Sequence, residues 1–300
     1  MSFVKTLLSS LVCVQLLFGQ FNTFVTVHGD KLMDGGRELR FISFNIPDLH
    51  YIEDDHRFES PNPWRIADEF EIRDALSAIK QLGGNVVRMY TPSVRKAMDT
   101  ALIIRHVDGP GQFNEEAFKG YDKVLQAANE LGVRVIIPLV DNWWWWGGIA
   151  DYARFRQKPK EAFWTDSLVR ADFKKTIEHL LKRVNTCTGI PYSEDKAILG
   201  WETGNELEVP NFSWTREIAG YLKSLDRNHL VIEGTHRQAI QEEALADTNI
   251  DVLSLHFYRP ASQTVSLMLD ARQRSKGKNP FFVGEIGRHP IDSLRLILDS

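Results

Sequence analysis

From Asp68 onward the apolar positions switch repeatedly between two patterns. Phe70, Ile72, Ala75, Ile79 and Leu82 recur at helical spacing and stop at Gly83-Gly84, after which Asn85 to Tyr90 is a short apolar run of strand character. The same sequence of events repeats down the chain. Helices are predicted over 114–131, 171–184, 215–225 and 261–274, and strands over Val133 to Val140, from Ile198, and over Leu230 to Glu233, Asp251 to Tyr258 and Phe281 to Glu285. Strands this apolar, alternating with helices, imply a parallel sheet covered by helices. Ahead of them, Phe24 to Val27 and Lys31-Leu32 flank a Gly29-Asp30 turn and predict a hairpin that lids the floor of a barrel. Glu38 to Ile46 is expected to be the first main strand, and a long polar and aromatic loop through Asp48, His50, Tyr51, Asp54, His56 and Trp64 follows it. Counting Phe41, Val86, Val135, Leu199, Val231, Leu253 and Phe282 as strand centres gives seven strands, one short of an eightfold barrel. The expectation is therefore a barrel domain over 21–300 that is either truncated at its C-terminus or left open. A doubly wound sheet is the alternative, although no Gly-rich phosphate turn follows the first strand.

Composition narrows the function. With 43% hydrophobic and 25% charged residues the chain can bury a large core, and a formal net charge of -4 argues against a nucleic-acid surface. Lys5 followed by an apolar run from Leu7 to Phe18 has the form of an export signal over residues 1–20, too short to span a membrane. A secreted or periplasmic monomer without a membrane span is expected. Leu11 and Val12 ahead of Cys13 do not fit a lipid anchor, and beyond the signal Cys187 is the sole thiol, so no internal disulfide can form.

The strand ends carry the chemistry. Ile198 to Glu208 starts as a short apolar run of strand character and ends in Asn205-Glu206, an amide and a carboxylate side by side; Phe281 to Gly284 run into Glu285. In a parallel barrel the reacting groups sit at the carboxyl ends of the strands, and two carboxyls there suit glycosidic cleavage, one to protonate the leaving oxygen and one to attack or to activate water. Arg88 ends the Asn85 strand with Tyr90 on the same face, and a guanidinium in a barrel mouth needs a carboxylate partner, either a catalytic Glu or a loop acid. His256 and Tyr258 share a face opposite Phe257. The Val133 strand runs into Asp141, Asn142 and four successive tryptophans, Trp143 to Trp146, closed by Gly147-Gly148. Four indoles in a row cannot all face one core, and an exposed indole offers a flat face to a sugar ring. No metal-ligand spacing and no serine-nucleophile motif is found, so neither a metal nor a cofactor is expected.

Taken together, Asn205-Glu206, Glu285 within Val-Gly-Glu-Ile-Gly, Arg88, and His256-x-Tyr258 between the two glutamates resemble the clan A glycoside hydrolases. Leu139-Val-Asp-Asn-Trp143 with Gly147-Gly148, and Asn185 to Tyr192 leading to Trp201-Glu202, are similar to the mannanase-like branch of glycoside hydrolase family 5. The resemblance runs from about Phe24 to Gly287. It implies a (β/α)8 TIM-type barrel, here apparently lacking the eighth strand, that hydrolyses β-1,4-linked polysaccharide, mannan or glucomannan, with retention. It further implies Glu206 as acid/base and Glu285 as nucleophile. Asn205 would hold the sugar 2-hydroxyl, Arg88 and Tyr258 would position Glu285, His256 would line the same subsite, and Asn142 and Trp143 would bind substrate. Burial against Trp201 would help Glu206 keep its proton near neutral pH. Gly204 stands where the family more often has Ala, and Asp141 where mannanases often have Asn. A β-1,4-glucanase, an exo-β-mannosidase or a non-catalytic carbohydrate-binding barrel are the alternatives.

Overall fold

The structure is a computed structural model that describes residues 21–53 and 64–300; the signal predicted over 1–20, and Asp54 and His56 of the long loop, lie outside the described residues. Its centre is one parallel sheet in which β1 (Phe44–Asn45), β2 (Val86–Arg88), β3 (Arg134–Pro138), β4 (Ile198–Glu202), β5 (Leu230–Glu233), β6 (Val252–Phe257) and β7 (Phe281–Ile286) lie side by side in chain order. A doubly wound sheet reverses its strand order at a switch point, and this one never does, so the chain winds in one sense as a barrel. The edges β1 and β7 share no ladder among the described residues, but they approach each other. The Asn45 Nδ2 donates to the Gly284 carbonyl at 2.9 Å, and the Phe41 and Phe282 rings lie 6.1 Å apart.

The helices are α1 (Glu69–Gln81), α2 (Glu115–Leu131), α3 (Ser167–Leu181), α4 (Phe212–Leu225), α5 (Ala261–Ser275) and α6 (Ile291–Leu298), with shorter helices at Ile149–Phe155, Ala162–Thr165 and Glu242–Ala246. Their ends follow local chemistry. Asp68 caps α1 by accepting from the Glu71 N–H at 2.9 Å while Glu71 accepts from the Asp68 N–H at 2.9 Å, and α2 ends on Gly132 at φ 69°. The motif Asn185 to Tyr192 serves packing: Tyr192 and Arg183 both bind the buried Asp122, at 2.6 and 2.7 Å, and tie the end of α3 to α2.

Two apolar layers result. Val86, Ile136, Leu199, Ile232 and Val252 fill the bottom of the barrel together with Val25 and Leu32, so the N-terminal hairpin (Thr26–His28 and Lys31–Asp34) closes the floor as its sequence implied. A larger layer lies between strands and helices and includes Val87, Val135, Ile137, Trp201, Leu253 and Phe257. The first strand is shorter than expected. Arg37–Glu38 joins the hairpin sheet, and only Phe44 and Asn45 pair with β2, opposite Val87 and Arg88. With no neighbour on its outer side, this edge gains ladder bonds from β2 alone, and Ile42 stands exposed.

Behind the tryptophan run lies a buried aromatic group in which the His50 ring lies 4.1 Å from that of Tyr121, tilted by 47°, and 5.2 Å from both His106 and Trp146. Neither His50 ring nitrogen has a hydrogen-bond partner among the described residues. Burial holds the His50 imidazole well below its ordinary range, and burial and Arg105 push His106 down to about 3. Both are neutral in the fold and would be charged in the unfolded chain below about pH 6.5, so each subtracts stability as pH falls below that value. His50→Phe is therefore expected to gain on the parent protein as pH drops from 6.5. The gain approaches about 1.4 kcal/mol per pH unit in urea unfolding, and an advantage independent of pH would refute the assignment.

Candidate active site

Just past β4 the chain stays tied between its neighbours: the Asn205 N–H donates to Val140 at 2.7 Å, and the Leu207 N–H to Gly234 at 3.0 Å. Glu206 lies between them in the left-handed region at φ 51°, a conformation that costs a non-glycine residue on the order of 1 kcal/mol. That turn aims its side chain across the mouth toward β6 and β7. Its Oε1 lies 3.1 Å from His256 Nδ1, and the same nitrogen lies 3.6 Å from Glu285 Oε1. The reacting atoms of Glu206, His256 and Glu285 all fall within 4.8 Å of one another.

Glu285 is fixed from two sides. Arg88 Nη1 donates to its Oε1 at 3.0 Å, and the Tyr258 hydroxyl donates to its Oε2. Arg88 is itself buried and has every direction used: its Nε donates to Glu202 Oε2 at 2.6 Å and its Nη2 to Asn205 Oδ1 at 2.9 Å. Burial opposes the Arg88 charge, but Glu202 and Glu285 more than offset it and raise its pKa. The two carboxylate partners of Arg88 are thus Glu285, the catalytic Glu expected of it, and Glu202, and neither is a loop acid. Glu202 had no role in the sequence reading, although a lone acid in an apolar strand was the available signal.

Asn205 is nearly buried and saturated. Beyond Arg88 it donates to Asp141 Oδ1 at 3.0 Å and to the Tyr90 hydroxyl at 3.2 Å, which sets the orientation of its amide. Burial pushes the Asp141 carboxyl up to about 7, against the hydrogen bond from Asn205. Asn142 is buried too; its amide faces Glu208, at 3.4 Å through both Nδ2 and Oδ1.

The four indoles part company. Trp146 is fully buried against Tyr51, Trp64 and Tyr90, and Trp145 turns its N–H to Glu53. Trp143 and Trp144 are 37% and 49% exposed. Trp143 Nε1 donates to Glu206 Oε2 at 2.6 Å, so its ring lies directly beside the carboxyl pair. The loop can turn back this tightly because of its glycines: a Cβ on Gly148 would stand 2.0 Å from the Asp141 carbonyl.

Glu206 departs from expectation. Trp201 faces the helices and donates to Asp226 at 2.8 Å, so it does not shield the acid. Burial raises the Glu206 pKa, but the hydrogen bonds from His256 and Trp143, with the charges of His256 and His236, outweigh it and hold the carboxyl below its ordinary range. His236, 3.7 Å from Glu206 Oε1, was not foreseen; no periodicity marks it. The set Glu206, His256 and Glu285 is the cluster among the described residues that could hold a divalent cation.

A parallel barrel bearing two carboxyls at the ends of its fourth and seventh strands, close enough to share one imidazole, is the arrangement of a glycoside hydrolase. The chain belongs to the GH family 5 beta-mannosidase-like family, whose family model matches residues 22–262. It is 28% identical to mannan endo-1,4-beta-mannosidase 4 of Solanum lycopersicum, over 89% of this chain and 73% of that protein. It is 37% identical to mannan endo-1,4-beta-mannosidase 7 of Arabidopsis thaliana over 43% of this chain, where the alignment spans 34% of the relative. Among solved structures, the endo-1,4-beta-mannanase of Rhizomucor miehei superposes with a TM-score of 0.74 at 23% identity, covering 90% of this chain and 84% of that one. No helix among the described residues is long and apolar enough to cross a membrane.

Proposed function

We propose that this protein is a retaining endo-β-1,4-mannanase, acting on mannan or glucomannan outside the cell, with Glu206 as acid/base and Glu285 as nucleophile. The observation that carries the reading is the carboxyl separation. One oxygen of each glutamate lies within 4.8 Å of one on the other, which supports the spacing of about 5–5.5 Å of a retaining pair over the spacing of about 6.5–9.5 Å of an inverting one.

In the first step the Glu285 carboxylate attacks the anomeric carbon while Glu206 gives its proton to the departing oxygen. In the second, Glu206 takes a proton from water, which attacks the same carbon and releases Glu285. Arg88 and Tyr258 hold Glu285 aimed, one donating to its Oε1 and the other to its Oε2. Asn205, locked by Arg88 and Asp141, is presented as a rigid amide at the cleavage subsite, and His256 spans the two carboxyls. Trp143 and Trp144 offer apolar faces for sugar rings, and Asn142 supports this rim through Glu208. The endo reading rests on the naming of the relatives; the secreted location rests on the leader sequence.

The test is product analysis on mannan, glucomannan and cello-oligosaccharides. Short manno-oligosaccharides are expected, with little release from the cello series. Because kcat/KM reports the free enzyme's groups and Glu206 is held low there, activity should decline already from mildly acidic pH upward. Release of single mannose units from chain ends would replace the endo reading with an exo one, and release of nothing by folded protein would leave a binding barrel.

A further inference from the structure

Beyond the catalytic carboxyls, on the side of β5 and β6, a pocket of about 510 Å³ opens between the loop after β5 and the start of α5. Arg237, Gln238, Ile240, Gln241, Arg259 and Leu267 line it. Its position is set by the chain. Arg237 follows His236, which lies 3.7 Å from Glu206, and Arg259 follows Tyr258, which binds Glu285. Consecutive Cα atoms are about 3.8 Å apart, so the two arginines spring from backbone adjoining the reacting centre.

Both guanidiniums are exposed, and neither has a carboxylate within ion-pair distance among the described residues. Arg259 Nε donates to Gln238 Oε1 at 2.9 Å, which leaves its two terminal nitrogens free of any hydrogen bond to the described residues. Arg237 makes one weak bond, from Nη2 to the Val209 carbonyl at 3.3 Å. The acids nearby are spoken for: Glu242 on the rim is held by Arg274 at 2.9 Å, and Glu206 and Glu285 have the partners described above. Buried Glu233 below has Arg237 acting on it through space, though burial dominates. Other arginines do meet carboxylates in close pairs, as Arg65 does with Glu71 and Arg156 with Asp172. Here two unmatched guanidiniums share one pocket over an apolar floor of Ile240 and Leu267, beside the reacting centre.

We infer that this pocket receives an anionic group carried by the sugar chain, so that the enzyme prefers mannans bearing acidic substituents to neutral ones. The chemistry is a forked guanidinium pair on a carboxylate or a phosphate ester, with the sugar's C–H face on Ile240 and Leu267. An uncharged chain would leave both arginines hydrated. The inference rests on the proposed polysaccharide reading and adds the substituent to it.

The experiment measures binding, by calorimetry, of three ligands to the Glu285→Gln variant, which holds them uncleaved: mannohexaose, the same backbone with one glucuronic acid residue, and the same backbone with one phosphate monoester. Parallel kcat/KM values come from the unmutated protein. One or both acidic ligands should bind about tenfold more tightly than the neutral one, and the stronger of the two identifies the natural substituent. Arg237→Gln and Arg259→Gln should each remove most of that preference and leave cleavage of neutral mannohexaose unchanged, while Arg237→Lys keeps part of it. Equal affinity for all three ligands, or a preference that survives both glutamine variants, would overturn the inference. Failure to cleave even neutral mannohexaose would count against the proposed function, and the binding comparison would still decide the pocket.

Discussion

Glu285→Gln is expected to remove turnover by roughly 10⁴- to 10⁶-fold, and Glu206→Gln by about 10²- to 10⁴-fold, with both proteins folded. The asymmetry follows from the roles. An amide at 285 cannot form the glycosyl ester on which both steps depend, whereas loss of the proton donor at 206 spares substrates whose leaving group needs no proton. A Glu206→Ala variant given an activated aryl mannoside should therefore form its intermediate rapidly and release it slowly. Azide should then accelerate turnover and appear in the product as a β-mannosyl azide, since the small anion attacks without needing a base. An α-azide would mean that the covalent step is absent.

Arg88→Met is expected to cost about 3–5 kcal/mol of stability at neutral pH, because it strands two carboxylates that the guanidinium now serves. Glu202 is fully buried, and Arg88 Nε at 2.6 Å is its partner on Oε2. Activity should fall as well, because Glu285 loses one of its two donors and Asn205 loses the bond that fixes its amide. Guanidinium chloride unfolding at pH 7 measures the first effect. A stability loss under 1 kcal/mol would show that the Glu202 and Glu285 contacts contribute little.

The sequence made the repeating architecture legible because each strand is apolar on both faces and each helix has a clear stop, as Gly132 provides for α2. It missed the length of β1. An apolar run predicts strand character, but the ladder needs partners, and an edge strand has one. The named site residues could be read because they stand at strand ends in recognisable order, and the structure brings them together: Arg88, Asn205, Tyr258 and Glu285 in one hydrogen-bonded group, and Glu206 with His256 in a second that lies 3.6 Å from Glu285. What could not be read was orientation. Trp201 stands five residues before Glu206 and Trp143 sixty-three, yet a strand turns Trp201 toward Asp226 while the loop brings Trp143 onto the carboxyl. The proton affinity of Glu206 depends on which of them it meets. His236 and the two free arginines of the pocket lie on loops, where no periodicity marks a residue as functional.

The measurement that bears most directly on this account is covalent trapping. Incubation with a 2-deoxy-2-fluoro-β-mannosyl fluoride, followed by proteolysis and mass spectrometry, should give a single glycosyl adduct on Glu285 within the peptide around Phe281–Ile286, with activity lost in proportion to labelling. An adduct on Glu206, Glu202 or another carboxyl, or complete turnover of mannan by an enzyme that never becomes labelled, would contradict it.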